Sequence, residues 1–385
     1  MDFQLSDEQR MFKQSVHDFA DERLAPLVQE WDQKGEILDH TILSQYVDMG
    51  LLGITLPEQY GGAGLTAFDA VLAMEELARV SPIAAMPVFE TSVGPVRVVE
   101  LFGTEEQKER FIPPACTGKK LMAVAMTEPE AGSALTDLTT RAVLEGDHYV
   151  INGQKRFITG GGYSDSYMVY ARMSDAKGAK GIGGIVIEKG SPGFTFGKQE
   201  VFMGLRGMPS CDLIFEDCIV PKENLIVPEG GFAFLMQAFD VERCGNATMS
   251  LGIAWGALEA AKQYAQERKA FGKPICEFQG VQFLLADMAM KVEAARLLIY
   301  RAAVNAGLGH PSIYESSVAK CFANEIGKEV TDMALQVFGG YGYSAEYPVE
   351  RMLRDSRGWP VAGGTVQMQR VNIAGAMLGR RFSQR

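Results

Sequence analysis

The spacing of apolar residues divides the chain into a helical, a β and a second helical stretch. Up to about residue 118, apolar positions such as Val16 and Phe19 recur at helical intervals, and Ser6 with Gln9 matches a capping box at the start of the first helix. A further helix is predicted over Phe68–Val80. Residues 1–118 are therefore expected to form an N-terminal helical domain.

Short apolar runs separated by glycine replace the helical pattern between residues 119 and 230. The runs cover residues 121–126, 148–151, 167–170 and 182–187. Asn152-Gly153 follows one of them and predicts a hairpin turn. Several short strands at this spacing predict a middle domain that is a small β-barrel or sandwich.

Long helical periods return from residue 231 onward. They cover residues 250–268, 279–306 and 316–338, and they predict a four-helix bundle as the C-terminal domain, residues 231–385. The fold class that follows is a multi-domain α+β protein in the order helical domain, β domain, helical bundle.

The composition of the chain argues against several classes of protein. The formal charge of −11 over 385 residues, without a Lys/Arg block, argues against a nucleic-acid surface. No run approaches the about eighteen apolar residues that a membrane helix needs. The six cysteines form no CxxC pair and the four histidines are dispersed, which argues against a disulfide scaffold and a metal site. The start of the chain lacks signal-peptide features, so a cytoplasmic location is expected.

Three runs carry residue types suited to a nucleotide cofactor. Thr127-Glu-Pro-Glu-Ala-Gly-Ser133, followed by Lys155-Arg-Phe-Ile-Thr-Gly-Gly161, exposes backbone N–H groups and hydroxyls that suit a pyrophosphate or flavin edge. Glu267-Arg-Lys-Ala-Phe-Gly272, followed by Phe278-Gln279, offers a cation and an aromatic surface to a diphosphate. In Gln336-Val-Phe-Gly-Gly-Tyr-Gly-Tyr343 the glycines allow close backbone approach.

These runs, together with Trp359-Pro-Val-Ala-Gly-Gly-Thr-Val-Gln-Met-Gln-Arg370, resemble the motifs of the flavin-dependent acyl-CoA dehydrogenases over essentially the whole chain. The resemblance implies FAD as cofactor, an acyl-CoA substrate and a homo-oligomer, most often a tetramer, with an electron-transfer flavoprotein or similar electron acceptor. It implies flavin contacts from Met126, Thr127, Gly132, Ser133, Phe157, Thr159, Arg268, Phe271, Gln279, Gln336, Gly339, Gly340, Thr365 and Gln367. Of these, Arg268, Phe271 and Gln279 would reach the FAD of a neighbouring subunit.

The C-terminal run departs from the family pattern at one decisive position. Most members carry a glutamate there, which removes the α-proton of the thioester, but this chain has Gly363. A glycine supplies no base. Its N–H can still donate a hydrogen bond to the thioester oxygen, alongside a ribityl hydroxyl of the flavin.

Two carboxylates are candidates for the displaced base. Glu242 occupies the position at which isovaleryl-CoA and long-chain acyl-CoA dehydrogenases carry theirs, between Asp240 and Arg243, which with Ser133 are expected to bind substrate. Glu90 lies in a segment that lines the acyl pocket in the family. It could deprotonate a more distant carbon, as in 1,4-eliminations on cyclic enoyl-CoAs, or serve only as a polar wall residue.

The resulting prediction is FAD-dependent dehydrogenation of an acyl-CoA, with Glu242 as the first choice of base, on a branched or cyclic acyl group such as cyclohexane- or cyclohexene-carboxyl-CoA. A second hypothesis is a lyase, since the 131–134 and 362–365 runs resemble 3-sulfinopropionyl-CoA desulfinases, which retain FAD without net oxidation. In that case an arginine of the early helices, with Arg79 as the candidate, would hold the sulfinate.

Overall fold

The computed structural model describes residues 4–35 and 40–382. Its first part is helical, as predicted. The described helices are α1 (Asp7–Phe19), α2 (Val28–Lys34), α3 (His40–Asp48), α4 (Ala67–Val80), α5 (Pro82–Val88), α6 (Pro95–Phe102) and α7 (Glu105–Cys116). The capping box is confirmed, because the Gln9 N–H donates to Ser6 Oγ at 3.2 Å and the Ser6 N–H to Gln9 Oε1 at 3.1 Å. Helix α4 begins one residue before the predicted helix.

The middle part is β structure, and its strands join in one mixed eight-stranded sheet. The strands are β1 (Met122–Ala125), β2 (Arg141–Glu145), β3 (His148–Thr159), β4 (Ser166–Arg172), β5 (Ile182–Glu188), β6 (Phe194–Phe196), β7 (Ser210–Pro221) and β8 (Leu225–Val227). Their order is β6-β7-β3-β2-β4-β5-β8, and β1 pairs with β4 in parallel. The turn at 127–133 begins just after β1, and it lies beside β3 because the Arg156 N–H donates to the Thr127 carbonyl at 2.8 Å.

The hairpin predicted at Asn152-Gly153 is wrong. Strand β3 runs straight through these residues, and the turn between β2 and β3 lies at Gly146, whose φ is 67°. Gly153 instead has a φ of 141° at a register shift against β7. A β-carbon there would lie 2.7 Å from Thr140 Cα, so the glycine serves a bulge and a close backbone contact.

The last part of the chain is the predicted bundle. Its elements are α8 (Phe232–Glu267), the short ribbon β9 (Lys269–Ala270) and β10 (Lys273–Pro274), α9 (Gln279–Ala306), α10 (Ile313–Phe338), α11 (Pro348–Ser356) and α12 (Val366–Met377). Helix α8 begins far earlier than the predicted start at residue 250. Its first half is buried on nearly all sides, so it lacks the polar stripe that reveals a surface helix.

Helix α8 also joins the two helical domains into one apolar core. Gly252 and Gly256 let α4 approach it closely, since a β-carbon at Gly252 would lie 2.5 Å from Ala78 Cβ and one at Gly256 would lie 2.2 Å from the Arg79 carbonyl oxygen. The shared core fixes α8, and with it the residues of its first half, relative to the N-terminal helices. None of the described helices has the length and apolar character needed to cross a bilayer.

Candidate active site

A cavity of about 2100 Å³ lies where the three parts of the chain meet. It is larger than the roughly 300–1,000 Å³ of a typical small-molecule site, so it has room for two sizeable ligands. Twelve of the residues singled out from the sequence line it: Glu90, Met126, Thr127, Gly132, Ser133, Phe157, Thr159, Asp240, Glu242, Arg243, Gly363 and Thr365. The tertiary structure thus brings residues from five separate stretches of the sequence to one cavity.

The 127–133 turn is held in place by a buried ion pair. Lys155 Nζ on β3 donates to Glu128 Oε1 at 2.8 Å and to the Met126 carbonyl at 3.0 Å. Glu128 also accepts from the N–H and the Oγ1 of Thr139, at 2.6 and 2.9 Å. The positive charge and these donors outweigh the effect of burial and lower the pKa of Glu128 to about 2. Neither partner was singled out from the sequence, where each looks like an ordinary charged residue.

The same turn leaves polar groups without partners on the cavity side. Among the described residues, no hydrogen bond involves the N–H groups of Thr127, Gly132 and Ser133 or the hydroxyls of Thr127 and Ser133. Partly exposed donors of this kind suit the polar edge of a flavin ring. Phe157 adds an aromatic surface, because a bulge between Lys155 and Ile158 gives it a φ of 58° and leaves its side chain half-exposed at the cavity. The residues present therefore fit FAD.

Glu90 reaches the cavity from an irregular helical turn. Pro87 interrupts the hydrogen-bond pattern of α5, and Phe89–Val93 continue as a π-helical turn. Within this turn, Thr91 Oγ1 donates to the Pro87 carbonyl at 2.7 Å. Burial and the negative charge of Glu242 raise the pKa of Glu90 to about 8. A carboxyl in this state is ready to exchange a proton near neutral pH.

Glu242 reaches the same cavity from α8. Burial raises its pKa to about 8, although the positive charges of Lys320 and Arg243 act in the opposite direction. Gly245 lies one turn further along the same helix face. A β-carbon at that position would lie 2.9 Å from Phe89 Cδ2, so the glycine is what allows α8 to approach the π-helical turn that carries Glu90.

Asp240 and Arg243 form a buried ion pair at the cavity wall. Ser316 Oγ from α10 donates to Asp240 at 2.9 Å, and His310 also lines the cavity and acts electrostatically on Asp240. The Arg243 Nε, by contrast, is buried without a hydrogen-bond partner. His310 was interpreted from sequence as an ordinary histidine, and no local motif distinguishes it.

The loop around Gly363 presents a backbone donor. Gly363 has a φ of 60° and lines the cavity, and its N–H takes part in no hydrogen bond within residues 4–35 and 40–382. Lys320 holds the carbonyl groups of this loop, because its Nζ donates to the Ala362 carbonyl at 2.7 Å and to the Gly364 carbonyl at 2.8 Å. A β-carbon at position 363 would lie 3.1 Å from Lys320 Nζ and 3.2 Å from Asn246 Nδ2.

Seven residues predicted to contact flavin lie elsewhere. Arg268, Phe271, Gln279, Gln336, Gly339, Gly340 and Gln367 are exposed and are not among the described residues that line the cavity. Phe271 is 97% exposed, and Arg268 lies 5.2 Å above the ring of Tyr341. A single chain therefore does not bring these residues to its own cavity.

Arg79, the candidate for holding a sulfinate, is engaged in ion pairs. Its guanidinium contacts Asp21 at 2.5 Å, Glu259 at 3.4 Å and Glu76 at 3.5 Å. It also lies 5.6 Å from the ring of Trp255 and is not among the described residues around the cavity. This hypothesis about Arg79 is wrong, because α4 directs it toward α1 and α8.

Comparison with known proteins gives the same family at the level of each domain. The N-terminal, middle and C-terminal domains of acyl-CoA dehydrogenase match residues 6–119, 123–218 and 229–378. Among solved structures, the butyryl-CoA dehydrogenase of Megasphaera elsdenii superposes with a TM-score of 0.94 at 42% identity, covering 98% of this chain and 100% of that one. A glutaryl-CoA dehydrogenase of Mycobacterium smegmatis, solved with FADH2, superposes with a TM-score of 0.92 at 25% identity, covering 99% and 97%.

Full-length relatives include proteins with different named activities. The 3-sulfinopropanoyl-CoA desulfinase of Paraburkholderia xenovorans is 40% identical, covering 100% of this chain and 99% of the relative. The caffeyl-CoA reductase-Etf complex subunit CarC of Acetobacterium woodii is 41% identical, covering 97% and 99%. With all three domains matched and the cavity suited to a flavin, the chain belongs to the acyl-CoA dehydrogenase family, and FAD is its cofactor.

Proposed function

We propose that this protein dehydrogenates an acyl-CoA thioester, with Glu242 as the base that removes the α-proton. The observation that carries the proposal is that Glu242 and the unpaired N–H of Gly363 line one cavity, next to the partner-free donors of the 127–133 turn. Bound FAD would accept the hydride from the β-carbon. Gly363, which lacks the usual carboxylate, and Glu242, which carries one, thus line the same cavity.

The electrostatic surroundings of Glu242 suit a general base. A pKa of about 8, raised by burial, gives a carboxylate that is basic enough to take a proton, and a minor fraction of it is ionised at neutral pH. The Gly363 N–H would donate to the thioester oxygen and stabilise the negative charge that develops as the α-proton leaves. Ser133, Asp240 and Arg243, which line the cavity, would bind the substrate.

Glu90 supports a more specific form of the reaction. Its carboxyl lines the cavity from a different helix, and its raised pKa is as suitable for proton transfer as that of Glu242. A ring-shaped or branched acyl group, such as cyclohexane- or cyclohexene-carboxyl-CoA, would place a second carbon within range of this carboxyl. Abstraction there, with hydride loss from the other end of a conjugated system, is a 1,4-elimination.

Completion of the flavin site by a second copy of the chain is part of the proposal. Arg268, Phe271 and Gln279 are exposed on the bundle, far from their own cavity, as expected for residues that contact the FAD of a neighbour. Gln336, Gly339 and Gly340 would approach its adenosine diphosphate. We propose a homotetramer, with an electron-transfer flavoprotein as acceptor, in line with the Etf complex to which one relative belongs. All six cysteines are free, which fits a cytoplasmic location.

The competing function is desulfination. The full-length identity to a desulfinase and the missing carboxylate at position 363 favour it. In that reaction the C–S bond breaks to release SO2, which water converts to sulfite, and a proton takes the place of the sulfinate group, so no external oxidant is needed. The engagement of Arg79 by three carboxylates speaks against the sulfinate site suggested by sequence. The buried carboxyl of Glu242 speaks for proton abstraction.

Anaerobic titration of the FAD-loaded protein separates the two functions. Short-chain, branched and cyclic acyl-CoA esters are added while the oxidised flavin absorbance is followed. Dehydrogenation bleaches the flavin, whereas sulfite release from 3-sulfinopropionyl-CoA without bleaching would overturn the proposal. Glu242→Gln is expected to abolish bleaching while FAD content stays unchanged. Glu22→Gln, at an exposed position of the N-terminal domain outside the proposed sites, is the control.

Parallel measurements on Glu90→Gln separate the two reaction forms. Loss of activity only with cyclic enoyl-CoA esters, and not with saturated straight-chain esters, would support 1,4-elimination. Unchanged rates with every ester would assign Glu90 to the cavity wall.

A further inference from the structure

Lys320 is a fully buried lysine on α10 whose side chain contacts the backbone of the Gly363 loop. Its Nζ donates to the carbonyl oxygens of Ala362 (2.7 Å), Gly363 and Gly364 (2.8 Å). Three acceptors use all three protons of an ammonium group, whereas a neutral amine has only two. These contacts favour the charged form of Lys320, whereas burial and the positive charge of Arg243 lower its pKa well below the usual range.

The direction of these bonds decides which way the loop presents its N–H groups. In a trans peptide the C=O and N–H point in opposite directions. Because the Ala362 carbonyl points at Lys320, the Gly363 N–H of the same peptide points away from Lys320. Asn246 Nδ2 supports the same carbonyl at 3.4 Å. A cation on the carbonyl oxygen also draws electron density from the amide, which strengthens the N–H as a donor.

Lys320 also affects the ionisation of Glu242. The two charges attract each other, and the positive charge of Lys320 is the largest influence that opposes the effect of burial on the pKa of Glu242. The other titratable groups that interact with Glu242 are Glu90 on the π-helical turn, Arg243 on α8 and Tyr170 on β4. Lys320 thus contacts the carbonyl oxygen of the peptide that carries the backbone donor, and it interacts electrostatically with Glu242.

We propose that Lys320 is a positioning residue that directs and polarises the Gly363 N–H toward the thioester oxygen and favours the ionised form of Glu242. The inference rests on the proposed function, since it concerns the same thioester site. It adds a residue that carries no motif of its own and touches neither reacting carbon. A purely structural lysine would stabilise the loop without affecting the acidity of a bound thioester.

The test uses a 3-thiaacyl-CoA ester, whose α-proton can be removed on the protein without turnover. Its deprotonation in the FAD-loaded protein is followed by the long-wavelength charge-transfer absorbance as a function of pH, and its affinity by calorimetry. Lys320→Met is expected to raise the pKa of the bound ester by about one unit or more, a roughly tenfold loss of enolate binding. The affinity for a non-ionisable saturated ether analogue should change by less than about threefold.

The pH profile of flavin reduction provides a second readout. Loss of the positive charge should move its acidic midpoint to higher pH, because Glu242 then ionises less readily. Lys328→Met on the same helix, where the lysine is partly exposed and pairs with Glu325 at 3.5 Å, is the control. If Lys320→Met matches this control in both the acidity of the bound ester and the pH midpoint, the inference is wrong, whatever happens to thermal stability.

If Lys320→Met does not bind FAD, two further variants test the inference. Lys320→Gln keeps donors for the carbonyls without the charge, and Lys320→Arg keeps the charge with a different geometry. Both are expected to weaken enolate binding, and wild-type acidity of the bound ester in both would overturn the inference. Absence of flavin bleaching in the wild-type protein would instead count against the proposed dehydrogenation alone, because the thiaester titration involves no turnover.

Discussion

Gly245 on α8 packs directly against Phe89, whose Cδ2 would lie 2.9 Å from a β-carbon at position 245. Val93 Cγ2 would lie even closer, at 2.7 Å. The contact joins α8 to the π-helical turn one residue from Glu90 and one helical turn from Glu242. The close approach of these two backbones is what gives the cavity two carboxyl groups with raised pKa values.

Gly245→Ala is therefore expected to disturb both stability and chemistry. The added methyl group must displace Phe89 or Val93, at a cost of about 1–3 kcal/mol in the free energy of unfolding. Thermal unfolding of the FAD-loaded protein measures it. Gly280→Ala on α9, where a β-carbon would meet open space, should be neutral or slightly stabilising. Equal melting temperatures for the two variants would contradict the close packing.

The pair of buried carboxyl groups predicts a loss of stability as the pH rises from 4.5 to about 8. The pKa values of Glu90 and Glu242 in the folded protein, about 8, lie above the ordinary value of 4.5. Protonated carboxyls therefore favour the folded state below pH 4.5, and this contribution is lost as the pH rises through 8. Glu90→Gln should flatten the decline between pH 5 and 9, with a gain of roughly 1–3 kcal/mol at pH 9.

Thermal melting across this pH range, in buffers of constant ionic strength, tests the effect. The exposed-site variant Glu22→Gln should decline in parallel with the wild type. If Glu90→Gln also declines in parallel, the carboxyl of Glu90 is not titrating in this range.

The ion pair beneath the 127–133 turn should be essential for FAD binding. Lys155→Met leaves Glu128 buried and without its cation, which costs about 3–5 kcal/mol in the free energy of unfolding. It also frees the Met126 carbonyl, so FAD affinity should fall at least about tenfold, as measured by fluorescence titration of the apoprotein. Glu277→Gln, which removes the exposed pair of Lys273 and Glu277, should change stability by less than about 0.5 kcal/mol.

Acid is expected to disrupt the ion pair of Lys155 and Glu128 only at very low pH. The pKa of Glu128 in the folded protein, about 2, lies below its ordinary value of 4.5. The stabilisation is therefore complete above pH 4.5 and is lost as the pH falls toward 2. Release of FAD from the wild type that begins already near pH 6 would point to a different group.

Gly363→Ala should keep most of the activity. The substitution retains the N–H, while a φ of 60° strains any side chain by about 1 kcal/mol. The β-carbon would also crowd Lys320 Nζ and Asn246 Nδ2. Gly146→Ala has a similar φ of 67° in open space and measures the strain alone. A rate of flavin reduction more than about a hundredfold below wild type, with FAD still bound, would show that position 363 does more than present its N–H.

Exposed Phe271 offers a test of the second subunit. Phe271→Glu should lower both the molecular mass in light scattering and the FAD content, because a charge would be buried at the contact with a neighbour. Met11→Glu, at another exposed apolar position, should leave both unchanged. Full FAD content in a Phe271→Glu monomer would contradict a flavin site shared between chains.

The sequence by itself determined the family, the order of the three domains and most of the long helices. Helices α9 and α10 could be predicted because their apolar period runs over many turns, and the cofactor motifs because their order along the chain matches one family. The absent carboxylate at Gly363 was equally visible. Glu242 and Glu90 were also visible as candidates for the displaced base, although their roles stay predictions.

Only the tertiary structure decided which of these residues meet. Asn152-Gly153 has the local signature of a hairpin, but pairing of β3 with β7 makes it a bulge. Arg79 lies on the expected helix, yet the direction of α4 turns it away from the cavity. Lys320 has no sequence signature, because its role depends on three carbonyl groups more than forty residues away along the chain. The spacing of residues along the chain specifies helices and strands, whereas the role of a buried charge depends on the groups that folding brings into contact with it.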